Sequence, residues 1–137
     1  MKTSPNTPCP CGSLLKYKKC CKIFHDGTLP KSALTLMKSR YCAFSVGKSD
    51  YIILTTHPKN PDFTENKKAW NEDILNFSKN TQFLNLEIVD FIDDELESFV
   101  TFKVSLIQNN NDVSFTEKSR FLKIENKWFY VDGEFLE

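Results

Sequence analysis

Four of the five cysteines in this 137-residue chain lie between positions 9 and 21, and this concentration predicts metal chemistry. Cys9 and Cys11 flank one proline, and Cys20 and Cys21 are adjacent. A disulfide between adjacent cysteines is strained, and this spacing matches a redox-active C-x-x-C pair poorly. Four thiolates are a ligand set that structural Zn²⁺ prefers. We therefore predict one structural zinc ion, bound by all four of these cysteines.

The residues between the two cysteine pairs have types that would support such a site. Gly12 can relieve the backbone as it leaves the first cysteine turn. Ser13 is predicted to cap a short helix whose last turn brings Cys20 and Cys21 back to the metal. A zinc ion with four thiolates carries a charge of −2, and nearby lysines would offset it and lower the thiol pKa values. These lysines are Lys16, Lys18, Lys19 and Lys22.

Two further side chains could belong to the metal site. His25 is an alternative fourth ligand. Because four cysteines already complete a tetrahedron, we favour a supporting position for His25, at the joint with the rest of the chain. Cys42 lies among apolar residues with helical spacing, and we interpret it as a buried packing residue.

The periodicity of the apolar residues, which predicts the helices and strands that position these side chains, changes near residue 80. Apolar residues at helical spacing predict helices over 31–46, 50–57 and 65–79. Period-two alternation then predicts strands over 82–92, 98–108, 113–124 and 127–132, joined in meander order by short polar turns. Asp132-Gly133 is expected to end the last strand. This order predicts an α+β fold of about three helices on an antiparallel sheet of about four strands.

Composition sets limits on the function. Apolar residues make up 40% and aromatic residues 13% of the chain, enough for a packed core. Lysine plus arginine and aspartate plus glutamate each total 18, so a generally basic DNA-binding coat is not expected. The chain has no apolar run near 18 residues and a start unlike a signal peptide, so we expect a cytoplasmic protein with no membrane segment. Residues 1–27 nevertheless carry five lysines and one acidic residue, which makes that segment locally basic.

The cysteine segment resembles the SEC-C motif, the zinc-binding tail of the bacterial secretion motor SecA. Residues 9–13, Tyr17, Cys20 and Cys21 fit that pattern, and Leu14 departs from it where the motif usually has glycine. The remainder resembles the YchJ-like family, which joins this motif to a nuclear-transport-factor-2-like (NTF2-like) domain. The matching segments are 37–44, 56–58, 117–121 and 128–133.

This resemblance implies a zinc-binding head over residues 1–27 and an NTF2-like domain over residues 28–137. It also implies that the sheet is strongly curved and wraps the helices into a cone, which often holds a ligand pocket. The family has no established reaction, and the fold hosts both enzymes and binding modules, so the function depends on individual residues.

Polar residues in apolar surroundings are the candidates for such a pocket. Arg40 lies in the first long helix, and Glu117 shares a strand face with Phe115 and Phe121. Period-two geometry places Arg120 on the opposite face from Glu117, so we expect the pair Arg40–Glu117, which would either fix the helix on the sheet or bind a substrate. His57, before Pro58, is either a general base at the cone mouth or a capping side chain.

Four aromatic residues complete the set and would either line the pocket or belong to the core. The full list of candidate pocket residues is Arg40, Tyr41, His57, Trp70, Glu117, Arg120, Trp128 and Tyr130. Weak catalytic candidates among them are His57, Arg40 and Glu117. The sequence has no nucleotide-binding, zinc-protease or serine-hydrolase motif, so an enzyme is not favoured.

Three functions follow as hypotheses. We favour a non-enzymatic adaptor whose basic zinc head docks on a protein or ribosomal partner, as the resemblance to the secretion motor's tail implies. The alternative is a small-molecule-binding protein or small enzyme that uses the cone. The third is a metal or redox sensor that releases zinc when its thiolates are oxidised. The chain is expected to be a monomer or a homodimer.

Overall fold

The structure is a computed structural model that describes residues 4–136, in an α+β fold. Five short segments precede the sheet: a single 3₁₀ turn, Tyr17–Lys19, and the helices α1 (Cys21–His25), α2 (Ala33–Val46), α3 (Ser49–Leu54) and α4 (Lys67–Lys79). The strands are β1 (Gln82–Ile92), β2 (Glu97–Gln108), β3 (Asn111–Asp112), β4 (Phe115–Ile124) and β5 (Lys127–Leu136). The three predicted helices and four predicted strands are confirmed, with α1 and the two-residue β3 in addition.

The cysteine-rich head, residues 4–27 of the described chain, is a closed loop followed by α1. The backbone N–H of Cys9 donates to Leu15 O at 2.8 Å, and Pro8 pairs with Lys16 to close the loop. Gly12 takes φ +86° in this loop, as expected of a glycine there. The prediction that Ser13 caps a helix running to Cys20 is wrong. The Ser13 hydroxyl accepts from Leu15 N and donates to the Cys20 sulfur, and the helix begins only at Cys21.

The long helices begin and end where local chemistry predicts. Ser32 accepts a hydrogen bond from Thr35 N at the start of α2, and Gly47 ends that helix in the left-handed region. Asn66 accepts from Ala69 N at the start of α4. The predicted second helix is too long. It ends at Leu54 because the following residues pair with β5 instead, through Tyr130 N to Thr55 O at 3.0 Å and His57 N to Tyr130 O at 2.8 Å.

The sheet is antiparallel in the order β1-β2-β4-β5, with β3 paired to β2. Two register shifts interrupt β1 against β2, and one interrupts β4 against β5. Such bulges bend a strand and increase its twist, which curves the sheet around the helices. They also break strict alternation along β1, where the residues packed toward the core are Phe83, Leu86, Ile88 and Phe91.

The last strand is longer than predicted. Asp132-Gly133 does not end β5, which continues to Leu136. Gly133 stands opposite Ser119 in the register, and a Cβ atom there would overlap the Glu117 side chain. The glycine therefore makes room for a carboxylate instead of ending the strand.

Helix α2 is the central element, because its two sides contact different parts of the molecule. One side carries Arg40 and Tyr41 toward a cavity between the helices and the sheet. The other carries Cys42 against the cysteine-rich head. Within the described residues, no helix is long and apolar enough to cross a membrane.

Candidate metal centre and ligand cavity

The sulfurs of Cys9, Cys11, Cys20 and Cys21 converge, with all four Sγ atoms within 4.8 Å of one another. The Cys11 and Cys20 sulfurs are 3.6 Å apart. A tetrahedral zinc site with metal–sulfur bonds near 2.3 Å would place its sulfurs about 3.8 Å apart. Three of the four cysteines are buried and Cys20 is half-buried. The spacing, burial and soft donor set together fit one metal ion held by four thiolates.

The closely packed thiols also shift one another's pKa values. The neighbouring Cys11 sulfur, then Cys42 and Cys9, and burial raise the pKa of the Cys21 thiol. Sulfurs packed this closely cannot all ionise unless a cation balances their charge, so four deprotonated ligands require the metal. The largest causes of these shifts are other sulfurs and burial, and the expectation that nearby lysines lower the thiol pKa values in a zinc-bound site stays a prediction.

Cys42 places a fifth sulfur beside the cluster. Its side chain is fully buried in α2, and its Sγ lies 3.8 Å from Cys9 Sγ. Cys42 is therefore a buried packing residue, as predicted, and the residue it packs against is one of the four clustered cysteines. The Cys21 sulfur also lies 3.8 Å from the backbone oxygen of Lys38. These contacts attach the cluster directly to α2.

His25 joins the head to α2 and does not act as a fourth ligand, because both of its ring nitrogens are engaged elsewhere. Its Nε2 lies 2.8 Å from Ser39 O, a carbonyl that can only accept, so Nε2 is the protonated nitrogen. Its Nδ1 therefore accepts from the Tyr17 hydroxyl at 2.7 Å. Burial lowers the pKa of His25, which keeps the ring neutral for this pattern.

A cavity of about 610 Å³ lies between α2, α4 and the curved sheet. This volume is within the range of about 300–1,000 Å³ that is typical of small-molecule sites. Five of the eight candidate pocket residues line it: Arg40, Tyr41, Trp70, Glu117 and Tyr130. Several aromatic residues of the wall, including Phe44 and Phe77, were not predicted from the sequence. Their helical spacing from Tyr41 and Trp70 was the available signal, but it indicates a core equally well.

Arg40 is buried, with 8% of its surface exposed, at the α2 side of this cavity. Its Nη1 donates to three neutral oxygens: Ile52 O at 3.1 Å, Thr55 Oγ1 at 2.7 Å and Thr56 Oγ1 at 3.1 Å. The two threonines follow α3 directly and were not identified from the sequence. They hold the guanidinium in place without supplying a negative charge.

The expected ion pair between Arg40 and Glu117 does not form, because Tyr130 lies between them. The centre of the Arg40 guanidinium is 4.7 Å from the centroid of the Tyr130 ring, a cation–π contact. The Tyr130 hydroxyl donates to Glu117 Oε2 at 3.0 Å, and the Ser119 hydroxyl donates to the same oxygen. Burial, followed by the charge of Glu117, raises the pKa of Tyr130, so the phenol stays protonated and donates.

Three candidate pocket residues lie outside the cavity wall. Arg120 is on the opposite sheet face, as period-two geometry predicts, where it binds Asp132 at 3.0 Å and Glu97 at 3.3 Å. Trp128 is part of the buried core. The Nδ1 of His57 accepts from Lys59 N at 3.0 Å, which fits the capping alternative. Burial, then Lys59 and Arg120, lowers the pKa of His57.

Comparisons with known proteins match both parts of the chain. The family model described as "YchJ, middle NTF2-like domain" matches residues 32–133, and the SEC-C motif model matches residues 6–22. A UPF0225 protein of Streptomyces coelicolor is 36% identical over 97% of this chain and 99% of its own length.

Two solved structures have a similar fold. The solution structure of a SEC-C motif protein from Rhodopseudomonas palustris superposes with a TM-score of 0.81, at 26% identity over 96% of this chain and all of that one. The crystal structure of a SEC-C motif protein from Psychrobacter arcticus gives 0.80, at 28% identity over 93% and 82%. The structure contains both parts that the two models describe, an N-terminal cysteine cluster and a cone-shaped NTF2-like domain. The Streptomyces relative also has nearly the same length as this chain. The chain therefore belongs to the YchJ-like UPF0225 family, in which a SEC-C motif precedes an NTF2-like domain.

Proposed function

We propose that this chain is a zinc-containing cytoplasmic protein whose cone binds a small, largely apolar molecule. The observation that carries the proposal is the cavity of about 610 Å³, whose wall is mainly apolar and aromatic and also includes polar and charged side chains. Large apolar cavities with a few convergent polar groups are the usual form of ligand sites.

The zinc ion has a structural role in this proposal. Cys9, Cys11, Cys20 and Cys21 would hold it, and a closed set of four thiolates leaves no coordination position for a substrate. When bound, zinc supplies a cross-link between the two ends of the head. The contacts of Cys42 and His25 then fix the head against α2, whose other side lines the cavity.

Ligand binding can be tested with the two tryptophans, because Trp70 lines the cavity and Trp128 does not. In a Trp128→Phe variant, the fluorescence of Trp70 reports on the cavity alone. We expect a neutral apolar probe, octanamide, to shift this fluorescence in a saturable way. Absence of any saturable change with octanamide, and with the charged octyl compounds described below, would contradict the proposal.

An Ala69→Phe variant should block the cavity. Ala69 lines it from the first turn of α4, where its side chain is exposed and a larger one should be tolerated by the fold. We expect octanamide affinity to fall at least about tenfold, because the ring occupies the ligand's space. Asn76→Phe is the matched control: it adds the same ring at an exposed position of α4 outside the cavity wall. Equal loss in both variants would count against a site in the cavity.

A second candidate function, docking of the head on an acidic protein or ribosomal surface, is favoured by one observation. Leu14 is 91% exposed at the tip of the head, although its φ of +72° strains any residue with a side chain. Leu15 beside it is 53% exposed, and three exposed lysines, Lys16, Lys18 and Lys19, follow within five residues along the chain. An apolar tip with a basic rim has the chemistry of a docking surface.

A Leu14→Gly variant separates docking from folding. Glycine relieves the positive φ, so we expect the free energy of unfolding to rise by up to about 1 kcal/mol. If the tip docks, partners captured by the full chain will be lost at the same time. Leu54→Ala, a truncation of an exposed leucine on α3, is the control and should leave capture unchanged. Undiminished capture by Leu14→Gly would exclude the tip as the docking surface.

A further inference from the structure

We propose that the molecule bound in the cavity carries a single carboxylate, which binds the free edge of the Arg40 guanidinium. This inference rests on the proposed function, because it names the chemical class that the same cavity takes. It starts from a buried charge that the protein itself leaves without an opposite charge in contact.

Arg40 uses only one of its three guanidinium nitrogens in protein hydrogen bonds. Nη1 donates to Ile52 O and to the hydroxyls of Thr55 and Thr56. Within residues 4–136, Nη2 and Nε make no hydrogen bond, and the ion pairs are Lys22–Asp26, Arg120–Glu97 and Arg120–Asp132. Arg40 lines the cavity, so its remaining donors are available on that side.

A buried cation without a counter-ion is unfavourable. Burial lowers the pKa of Arg40 to about 10, which still leaves the guanidinium charged at neutral pH. An anion arriving in the cavity would therefore meet a fixed, desolvated charge. Such a charge-assisted hydrogen bond is stronger than a neutral one and requires little rearrangement of the protein.

Glu117 does not fill this position. Tyr130 packs its ring against the guanidinium, and its hydroxyl, with that of Ser119, donates a hydrogen bond to Glu117 Oε2. Gly133 leaves the space that this carboxylate occupies. The glutamate is thus kept near the arginine without bonding to it, which leaves the in-plane edge of the guanidinium for a ligand.

Among anions, the charges around the cavity favour one negative charge over two. Arg40 is the one cationic side chain among the described residues that line it, against Asp62, Asp73 and Glu117. A phosphate monoester would bring nearly two negative charges to one guanidinium and three carboxylates. A carboxylate brings one charge and matches the planar donors of arginine in geometry.

The remaining walls accommodate an apolar body. Tyr41, Phe44, Trp70, Phe77 and Phe83 line the cavity, with edge contacts such as Phe44 to Phe77 at 5.7 Å between ring centroids. These rings would cover an alkyl chain or aromatic ring extending from the carboxylate. The class of ligand is therefore a small amphipathic carboxylic acid.

Four compounds with the same tail and different heads test this inference on the unaltered full chain with zinc bound. Octanoate, octanamide, octylamine and octyl phosphate are titrated by calorimetry. We expect octanoate to bind at least about tenfold more tightly than octanamide, because one charge-assisted hydrogen bond contributes about that factor to affinity. Octanoate should also bind more tightly than octyl phosphate. Octylamine should bind no better than octanamide.

The outcomes separate the two proposals. Equal binding of octanoate and octanamide would overturn the carboxylate inference but leave a cavity for apolar molecules. Preference for octylamine or octyl phosphate would also overturn it, and would assign recognition to the acidic side chains or to a dianion. Failure of all four compounds would contradict the proposed function as well.

An Arg40→Gln variant tests the residue directly. It should still bind octanamide saturably, which shows that the cavity is intact, while octanoate loses its tenfold advantage over octanamide. Arg120→Gln is the matched control, because it removes the same charge from the outer sheet face and should keep that advantage. If Arg40→Gln does not fold, the head-group comparison on the unaltered chain decides the question alone.

Discussion

Replacing Cys21 with serine should prevent the chain from holding the zinc ion that we propose. Cys21 is 2% exposed, opens α1 and contributes one of the four converging sulfurs. Loss of a hydrogen-bond partner outside a metal's ligand set costs about 10- to 100-fold in metal affinity, so loss of a ligand should cost more than about 100-fold. We expect zinc to fall from one ion per chain to near zero after dialysis, measured by elemental analysis and by competition with a chromogenic chelator.

Cys42→Ala is the control that distinguishes four ligands from five. Its sulfur touches Cys9 but lies outside the set of four mutually close sulfurs. We expect this variant to keep one zinc ion per chain, and to lose about 1 kcal/mol of stability through the small cavity left in the core. A Cys21→Ser protein that retains one zinc ion, or a Cys42→Ala protein that loses it, would refute the assignment of the ligands.

Chelation of the metal will destabilise the NTF2-like domain together with the head. The head packs on α2 through Cys42, through Cys21 against Lys38 O and through the chain of hydrogen bonds from Tyr17 to His25 to Ser39. A metal ion present at a thousand times its dissociation constant stabilises the folded state by about 4 kcal/mol, because it binds the folded chain and not the unfolded one. We therefore expect the midpoint of thermal unfolding to fall by about 10–20 °C when the metal is removed.

Hydrogen exchange locates this effect. Removing the metal should increase exchange in the head and also in α2, while β2 at the centre of the sheet keeps its protection. A His25→Ala variant with zinc bound should show part of the α2 effect without metal loss, because it breaks the link to Ser39. Loss of protection confined to residues before 28 would show that the head and the domain behave independently.

The helices and strands were predictable because their signals are local. The apolar spacing over residues 31–46 and 65–79 and the alternation along β2 each depend on a few neighbouring residues. The errors arise where distant residues decide the structure. Pairing with Tyr130 ends α3 early, bulges change which residues of β1 face inward, and the Glu117 carboxylate explains Gly133 inside a continuing strand.

The same distinction applies to the two candidate sites. The four cysteines are neighbours in sequence, so their spacing alone suggested the cluster. The environment of Arg40 combines α2, the residues after α3, and a tyrosine 90 positions further along the chain. Sequence periodicity placed Arg40 and Glu117 on facing elements, but it could not show that Tyr130 would stand between them.

Chemical-shift mapping with octanoate tests the central claim, a ligand site inside the cone, most directly. Titration of the zinc-bound full chain, observed through its methyl groups, should move the signals of Met37, Ile52, Ile74 and Leu106, which line the cavity. Exposed methyl groups elsewhere, those of Leu14 and Leu84, should stay in place. Shifts confined to such exposed groups, or no saturable shift at all, would contradict the account.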